Sequence, residues 1–208
     1  MDPLLLPVQP ISQLFPKPII MGCEGVAAAM LLQYNQHFIS ADKLMKYWPR
    51  HPNNPELGYV GHPFFIKPNV HQTIFPQALV PYLKQYDEHI IDGTGQSLKN
   101  LEQVINSGQP VVIYHTHLGV RPLRRTFKTS SGLKNWVSNI HVTLLIGYDE
   151  YHYYFIDPLW MHFKTLLAPA LWPSHHQIHK MNKKRLIRSY DAPGRMCLYR
   201  NINQTFTR

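Results

Sequence analysis

Cys23 stands directly after Gly22 and opens an apolar run, Glu24 to His37, made largely of good helix formers. A cysteine in that position is suited to nucleophilic chemistry. The thiolate is the reactive form of the side chain, and the free N–H groups at a helix start favour an anion there, which predicts a lowered thiol pKa. Gly22 lets backbone and substrate approach closely. Glu24 suits the first turn of a helix, yet as a nearby anion it raises the thiol pKa somewhat. The competing reading is an inert, buried cysteine, common in cores. The sequence holds two cysteines, so a Cys23–Cys197 disulfide is a further alternative, and it would remove the nucleophile.

A nucleophilic thiol needs a base, and the base needs a partner that orients it. His141 begins an apolar strand pattern, and Asp157 closes the next one, just before Pro158. If strands 141–148 and 152–156 pair through a turn at Asp149-Glu150-Tyr151, their far ends lie side by side, and His141 comes within reach of Asp157. In isolation Asp157 reads equally well as a turn residue before proline. The sequence has 13 histidines, so chance groupings are expected. His115 and His117 could join His141 and Cys23 around a zinc ion, and His175, His176 and His179 have helical ligand spacing. No CxxC or HExxH pattern accompanies them, so the site is read without metal or cofactor, and the group near 175 as exposed surface or loop.

The elements that would position these groups change character midway. Helices are expected over Glu24 to His37, over Ala41 to Trp48 after a Ser40 cap, over Phe75 to Tyr86, and over Leu98 to Asn106 after a Ser97 cap. Within the first, Val26, Met30, Tyr34 and Phe38 suggest one buried face. Strands follow at Pro110 to Thr116, His141 to Tyr148, His152 to Ile156 and Met196 to Arg200. Leu118 to Asn139 lacks a clear period and reads as a long loop or a ragged hairpin. Helices first and an antiparallel sheet second indicate an α+β fold.

With 208 residues and 44% hydrophobic side chains, the chain suits a single domain spanning 1–208. It has no 18-residue apolar run to cross a membrane, and its first residues lack the basic region of a signal peptide, which leaves a cytoplasmic protein or a secreted one whose leader has been removed. The formal charge is +9, with basic residues grouped at Arg121 to Lys128 and at Lys180 to Arg188. Such charge attracts anionic partners, but no nucleic-acid-binding motif accompanies it. The first group lies close in sequence to His141 and could contact an acidic or cell-wall-linked substrate.

A family resemblance joins these features. Ile11-Ser12-Gln13, a proline-containing spacer and then Gly22-Cys23-Glu24-Gly25-Val26-Ala27-Ala28-Ala29-Met30 resemble the catalytic segment of the C39-like peptidases, papain-superfamily relatives of the bacteriocin leader peptidases that commonly occur as stand-alone bacterial domains. Gly58-Tyr59-Val60-Gly61-His62-Pro63, Gly93 to Leu98, Gly108-Gln109-Pro110-Val111-Val112-Ile113, His141-Val142-Thr143-Leu144-Leu145-Ile146-Gly147-Tyr148-Asp149 and Ile156-Asp157-Pro158 resemble further family segments, in the family's order. Together they span about residues 5–160. The spacer after Gln13 carries extra residues, Pro16 to Ile20, and His62 replaces an acidic residue.

The resemblance implies a papain-like fold and a hydrolase that forms an acyl-enzyme. Cys23 would be the nucleophile, His141 the general base and then acid, and Asp157 the orienting group. Gln13 would help the Cys23 N–H hold the oxyanion, and Gly22 and Ile140 would lie against substrate. The same constellation also serves acyl transfer and transpeptidation, and the scaffold can bind peptides without cleaving them. Oligomeric state and cleavage-site preference are not readable from the sequence.

Overall fold

The computed structural model describes residues 2–163 and 166–202. The first helix, α1 (Cys23–Tyr34), is apolar on every side, and each residue from Val26 to Leu32 is almost fully buried. The one-face pattern expected for it is therefore replaced by burial all round. Phe38 lies beyond the helix end and is exposed. Ala27, Ala28 and Ala29 carry little bulk, which lets α1 settle closely onto the sheet. The next helix, α2 (Ala41–Tyr47), packs on α1, while α3 (Pro76–Leu83) and α4 (Leu98–Asn106) pack on the sheet. Ser97 caps α4 as expected, its hydroxyl accepting from the Asn100 N–H at 3.1 Å. Ser40 holds the cap position of α2, but its side chain bonds the Asp42 carboxylate instead of the backbone.

The main sheet is antiparallel and runs in the order β10-β7-β6-β3-β11-β2, with β1 also paired to β6. Its strands are β1 (Leu4–Leu5), β2 (Ile90–Asp92), β3 (Val111–Thr116), β6 (Ile140–Tyr148), β7 (His152–Ile156), β10 (Ile178–Asn182) and β11 (Cys197–Arg200). β3 and most of β6 are buried, as their near-continuous apolar runs require. The predicted strands over 110–116, 141–148, 152–156 and 196–200 all appear, within one residue at each end. The hydrophobic core lies between α1 and this sheet and includes α3, α4 and β11. The α+β expectation holds.

Two small hairpins stand outside the main sheet. β4 (Arg124–Thr129) and β5 (Gly132–Val137) pair in regular register from Arg124↔Val137 to Thr129↔Gly132. They occupy the segment without a period because polarity and burial do not match there: Thr129 is buried and Leu133 is exposed. β8 (Trp160–Phe163) and β9 (Leu166–Pro169) form the other.

The C-terminal region is more ordered than its basic, His-rich sequence suggests. A short 3-10 turn at His175–Gln177 leads into β10, and α5 (Lys183–Asp191) packs Leu186, Ser189 and Tyr190 inward. His175 and His176 are exposed, as expected, but His179 lies buried on β10. Both cysteines are free, so the disulfide alternative falls.

Candidate active site

The hairpin of β6 and β7 brings His141 and Asp157 together, with help from one irregularity. The register slips by a residue between Leu145 and Gly147. From the paired residues Leu144↔Ile156, continuation puts Asp157 opposite Thr143, on the same face as His141 and one diagonal step away. Without the bulge Asp157 would fall on the opposite face. The contact is direct: His141 Nε2 lies 2.8 Å from Asp157 Oδ1, and both side chains are almost fully buried. Asp157 Oδ1 also accepts from the N–H groups of Leu159, at 2.9 Å, and Trp160, at 3.2 Å. Burial raises the Asp157 carboxyl pKa, but the His141 charge and these hydrogen bonds outweigh it and hold the carboxylate below its usual range. Because an ionised Asp157 only accepts, Nε2 of His141 carries the proton. Nδ1 is then the ring atom left free to act as a base.

Cys23 starts α1, which packs on β6. Its sulfur faces the backbone N–H of Val142, the residue after His141. The electrostatics reverse the expectation of a lowered thiol pKa. Burial, followed by the charge of Glu24, pushes it well above the ordinary value, and the Val142 N–H only partly offsets this. The cysteine side chain donates to Glu24 Oε2 at 3.3 Å. Glu24 is itself buried. Its other oxygen accepts from the Thr73 hydroxyl and, at 3.4 Å, from the Ile74 N–H, and burial raises its carboxyl pKa. The helix start thus presents a neutral thiol, hydrogen-bonded to a carboxylate whose own position is fixed from the 73–74 segment.

Gln13 reaches the same place. Its backbone N–H donates to Pro158 O at 2.7 Å, which ties it to the segment after Asp157. The extra spacer residues fold back onto it. The Ile19 N–H donates to Gln13 O at 2.8 Å, and Gln13 Nε2 donates to Ile20 O at 2.7 Å. One amide hydrogen remains uncommitted, while Oε1 is buried without a partner.

Gln13, Cys23, Ile140 and His141 line one cavity of about 520 Å³. Asp157 lies behind His141, outside that lining. Gly22, just before Cys23, is not part of that lining. A Cβ there would collide with Ile19 and press on Met45, so Gly22 serves the packing of the spacer and α2.

The cavity gives His117 a place other than the zinc site weighed for it. His117 lines it, with its ring 5.1 Å from that of His141. The Trp160 indole N–H donates to His117 Nε2 at 2.6 Å, and the two rings stack. That bond requires an unprotonated Nε2, so it fixes the neutral tautomer with its proton on Nδ1. Burial, and then His141, lowers the His117 pKa in the same sense. His115 lies on β3 and pairs directly with His141 across the sheet, while His117 follows in the turn after the strand. His115 itself is buried and bonded to Thr143 Oγ1 at 3.0 Å. Among the described residues, no three His, Cys, Asp or Glu side chains converge as metal ligands, and no helix is long and apolar enough to cross a membrane.

Two walls complete the cavity: a loop over residues 62–72 and the β4–β5 hairpin. Gln72 laces the loop, with its Nε2 donating to His62 O and Phe65 O and its Oε1 accepting from the Lys67 N–H at 2.7 Å. His71 joins the walls. Its Nε2 donates to Val137 O at 2.7 Å, and its ring packs among Phe75, Phe127 and Trp136.

The architecture is similar to that of a crystal structure from Bacillus anthracis, provisionally assigned as a C39-like peptidase, with a TM-score of 0.81, 24% sequence identity and coverage of 97% of this chain and 98% of that one. A search among curated proteins finds no match. The sequence model of the Peptidase C39-like family matches residues 5–166, a span that holds Gln13, Cys23, His141 and Asp157, and the chain belongs to that family.

Proposed function

We propose that the protein cleaves peptide or amide bonds by thiol chemistry, with Cys23, His141 and Asp157 as a triad. The observation that carries this is the 2.8 Å contact from His141 Nε2 to Asp157 Oδ1 beside a cavity that Cys23 and His141 line together. It leaves His141 Nδ1 as the ring atom available to take a proton. Because the resting thiol is held neutral by burial and Glu24, proton transfer to His141 accompanies attack instead of preceding it. The Cys23 sulfur bonds to the substrate carbonyl carbon as its proton passes to His141 Nδ1. The imidazolium, stabilised by Asp157, then protonates the departing amine as the C–N bond breaks. Water adds to the thioester, giving its proton to His141, and the acid leaves as the thiol re-forms.

Gln13 supports the oxyanion with its uncommitted amide hydrogen, beside the Cys23 backbone N–H. Its bond to Ile20 O keeps the amide nitrogen turned in the required sense. A single oxyanion donor contributes about 2.7–4 kcal/mol of barrier lowering.

The test uses tryptic peptides from a cell lysate, with new ends read by mass spectrometry. Wild-type protein should produce new cleavages, and Cys23→Ala should produce none while keeping its melting temperature. Equal cleavage by Cys23→Ala would sink the mechanism.

A further inference from the structure

The charges lining the cavity are one-sided. Lys67 lines it from the 62–72 loop and Arg125 from β4, and both are exposed. The lining also contains one carboxylate, Glu24, which is buried and committed to Thr73, the Ile74 N–H and the Cys23 thiol. Among the described residues, the Lys and Arg side chains paired with carboxylates are those of Lys99, Lys134, Lys183, Arg195 and Arg200. Lys67 and Arg125 are not among them.

The basic run from Arg121 to Lys128 does not act as a block. Arg124 turns away, with its guanidinium donating to Ala192 O at 3.0 Å, whereas Arg125 lines the cavity. The second cation comes from a different part of the sequence, and its backbone N–H is pinned by Gln72. With the walls fastened to each other through His71 and Val137, the two cations are mounted on a built frame. Two unpaired cations lining one concave site complement an anion inside it.

We propose that the cavity selects peptide segments bearing Asp or Glu carboxylates near the cleaved bond, read by Lys67 from the loop and Arg125 from β4. This rests on the peptidase reading of the site, but its test does not need turnover. The probe is a fluorescent peptide of alternating Glu and Gly, compared with its Gln-for-Glu counterpart. Binding to the Cys23→Ala protein is followed by anisotropy at low and at physiological salt.

The Glu peptide should bind about tenfold more tightly at low salt, the size that two partly screened ion pairs supply, and salt should erode the difference. The double change Lys67→Gln with Arg125→Gln should abolish the preference. Lys43→Gln with Lys84→Gln removes the same charge outside the cavity lining and should preserve it, with thermal melts confirming that both variants fold. Equal affinity for the two peptides, absence of binding, or the same loss in both double variants overturns the proposal. Whether wild-type protein hydrolyses the bound peptide is a separate readout and bears on the catalytic reading alone.

Discussion

The floor of the cavity, where α1 meets β6, is tied mainly through backbone: the β3–β6–β7 ladders, the bulge before Gly147, and the Gln13 N–H on Pro158 O. The walls are tied mainly through side chains: Gln72 within the 62–72 loop, His71 across to Val137, and Asn54 Nδ2 to Ser131 Oγ at 3.1 Å at the hairpin tip. A ladder distributes its constraint over many residues, so no single side chain has to hold the floor together. Each side-chain tie in the walls is a point at which they can be loosened. On the proposed function, reactivity belongs to the floor, and substrate choice to a part of the molecule that can change without disturbing it.

The largest expected effects test the floor. His141→Ala should lower kcat by about 10⁴-fold or more, since it removes the base for attack and the acid for the leaving group. Asp157→Asn should cost less, because an amide oxygen can still accept from Nε2–H and keep Nδ1 free. Steady-state kinetics on a peptide that the wild type cleaves checks both, and a larger loss in Asp157→Asn than in His141→Ala would contradict the orienting role. Gln13→Ala comes next, at about 10²–10³-fold in kcat with KM little changed. If it raised KM alone, Gln13 would belong to ground-state binding instead.

A comparison of two buried histidines sharpens the contrast. His115 sits in the floor behind His141, and His71 joins the walls. Burial lowers each pKa to about 4, with His141 adding to the effect on His115. A depressed histidine pKa means that the unfolded chain takes up the proton first. As pH falls from about 6.5 to about 4, each should cost roughly 3 kcal/mol of folding stability, and neither costs anything above about pH 7. Denaturant midpoints across this range should show a steep loss. His71→Phe suits the surrounding aromatic cluster, and it should remove a clear part of that slope while His115, His117 and His179, whose pKa values burial also lowers, keep the rest. An unchanged slope would mean that His71 is not held neutral in the folded protein.

The same division explains how much of the molecule was legible in the sequence. The floor was readable because the chemistry of Cys23 and the hairpin of His141 and Asp157 depend on local pattern: a helix start, alternating strands and a turn at Asp149. The bulge was not readable, since Ile146 continues the apolar run without a break. The sign of the Cys23 thiol shift was misjudged because burial of the α1 start outweighs the favourable helix end, and only packing reveals burial. The walls were least legible. β4 and β5 bury Thr129 and expose Leu133, so their sequence shows no period, and Lys67 reaches Arg125's cavity through a loop whose order comes from Gln72.

Glu24 lies where floor and wall meet, since its carboxylate touches both the Cys23 thiol and Thr73. Glu24→Gln keeps the shape, removes the anion and should lower the apparent thiol pKa, because burial and the Glu24 charge are the main influences holding it up. The pH dependence of iodoacetamide labelling at Cys23 reads this directly. A midpoint that rose or stayed put would show that the charge of Glu24 is not what holds the proton on sulfur.

The smallest effect should come from the ion pair between Lys134 and Glu56. Nζ lies 3.1 Å from Oε2, with the two side chains 33% and 23% exposed. Such a pair is partly screened, and holding two long side chains in one geometry offsets much of its attraction. The hairpin also keeps its other ties, Ser131 to Asn54 and Val137 to His71, when this pair is removed. Lys134→Ala should therefore cost about 0.5 kcal/mol at low salt and less at high salt, as read from urea midpoints. If the loss instead matched that caused by removing the His71 tie, the walls would be held electrostatically. The cavity would then open as salt is raised, and salt would weaken substrate binding even with Lys67 and Arg125 removed.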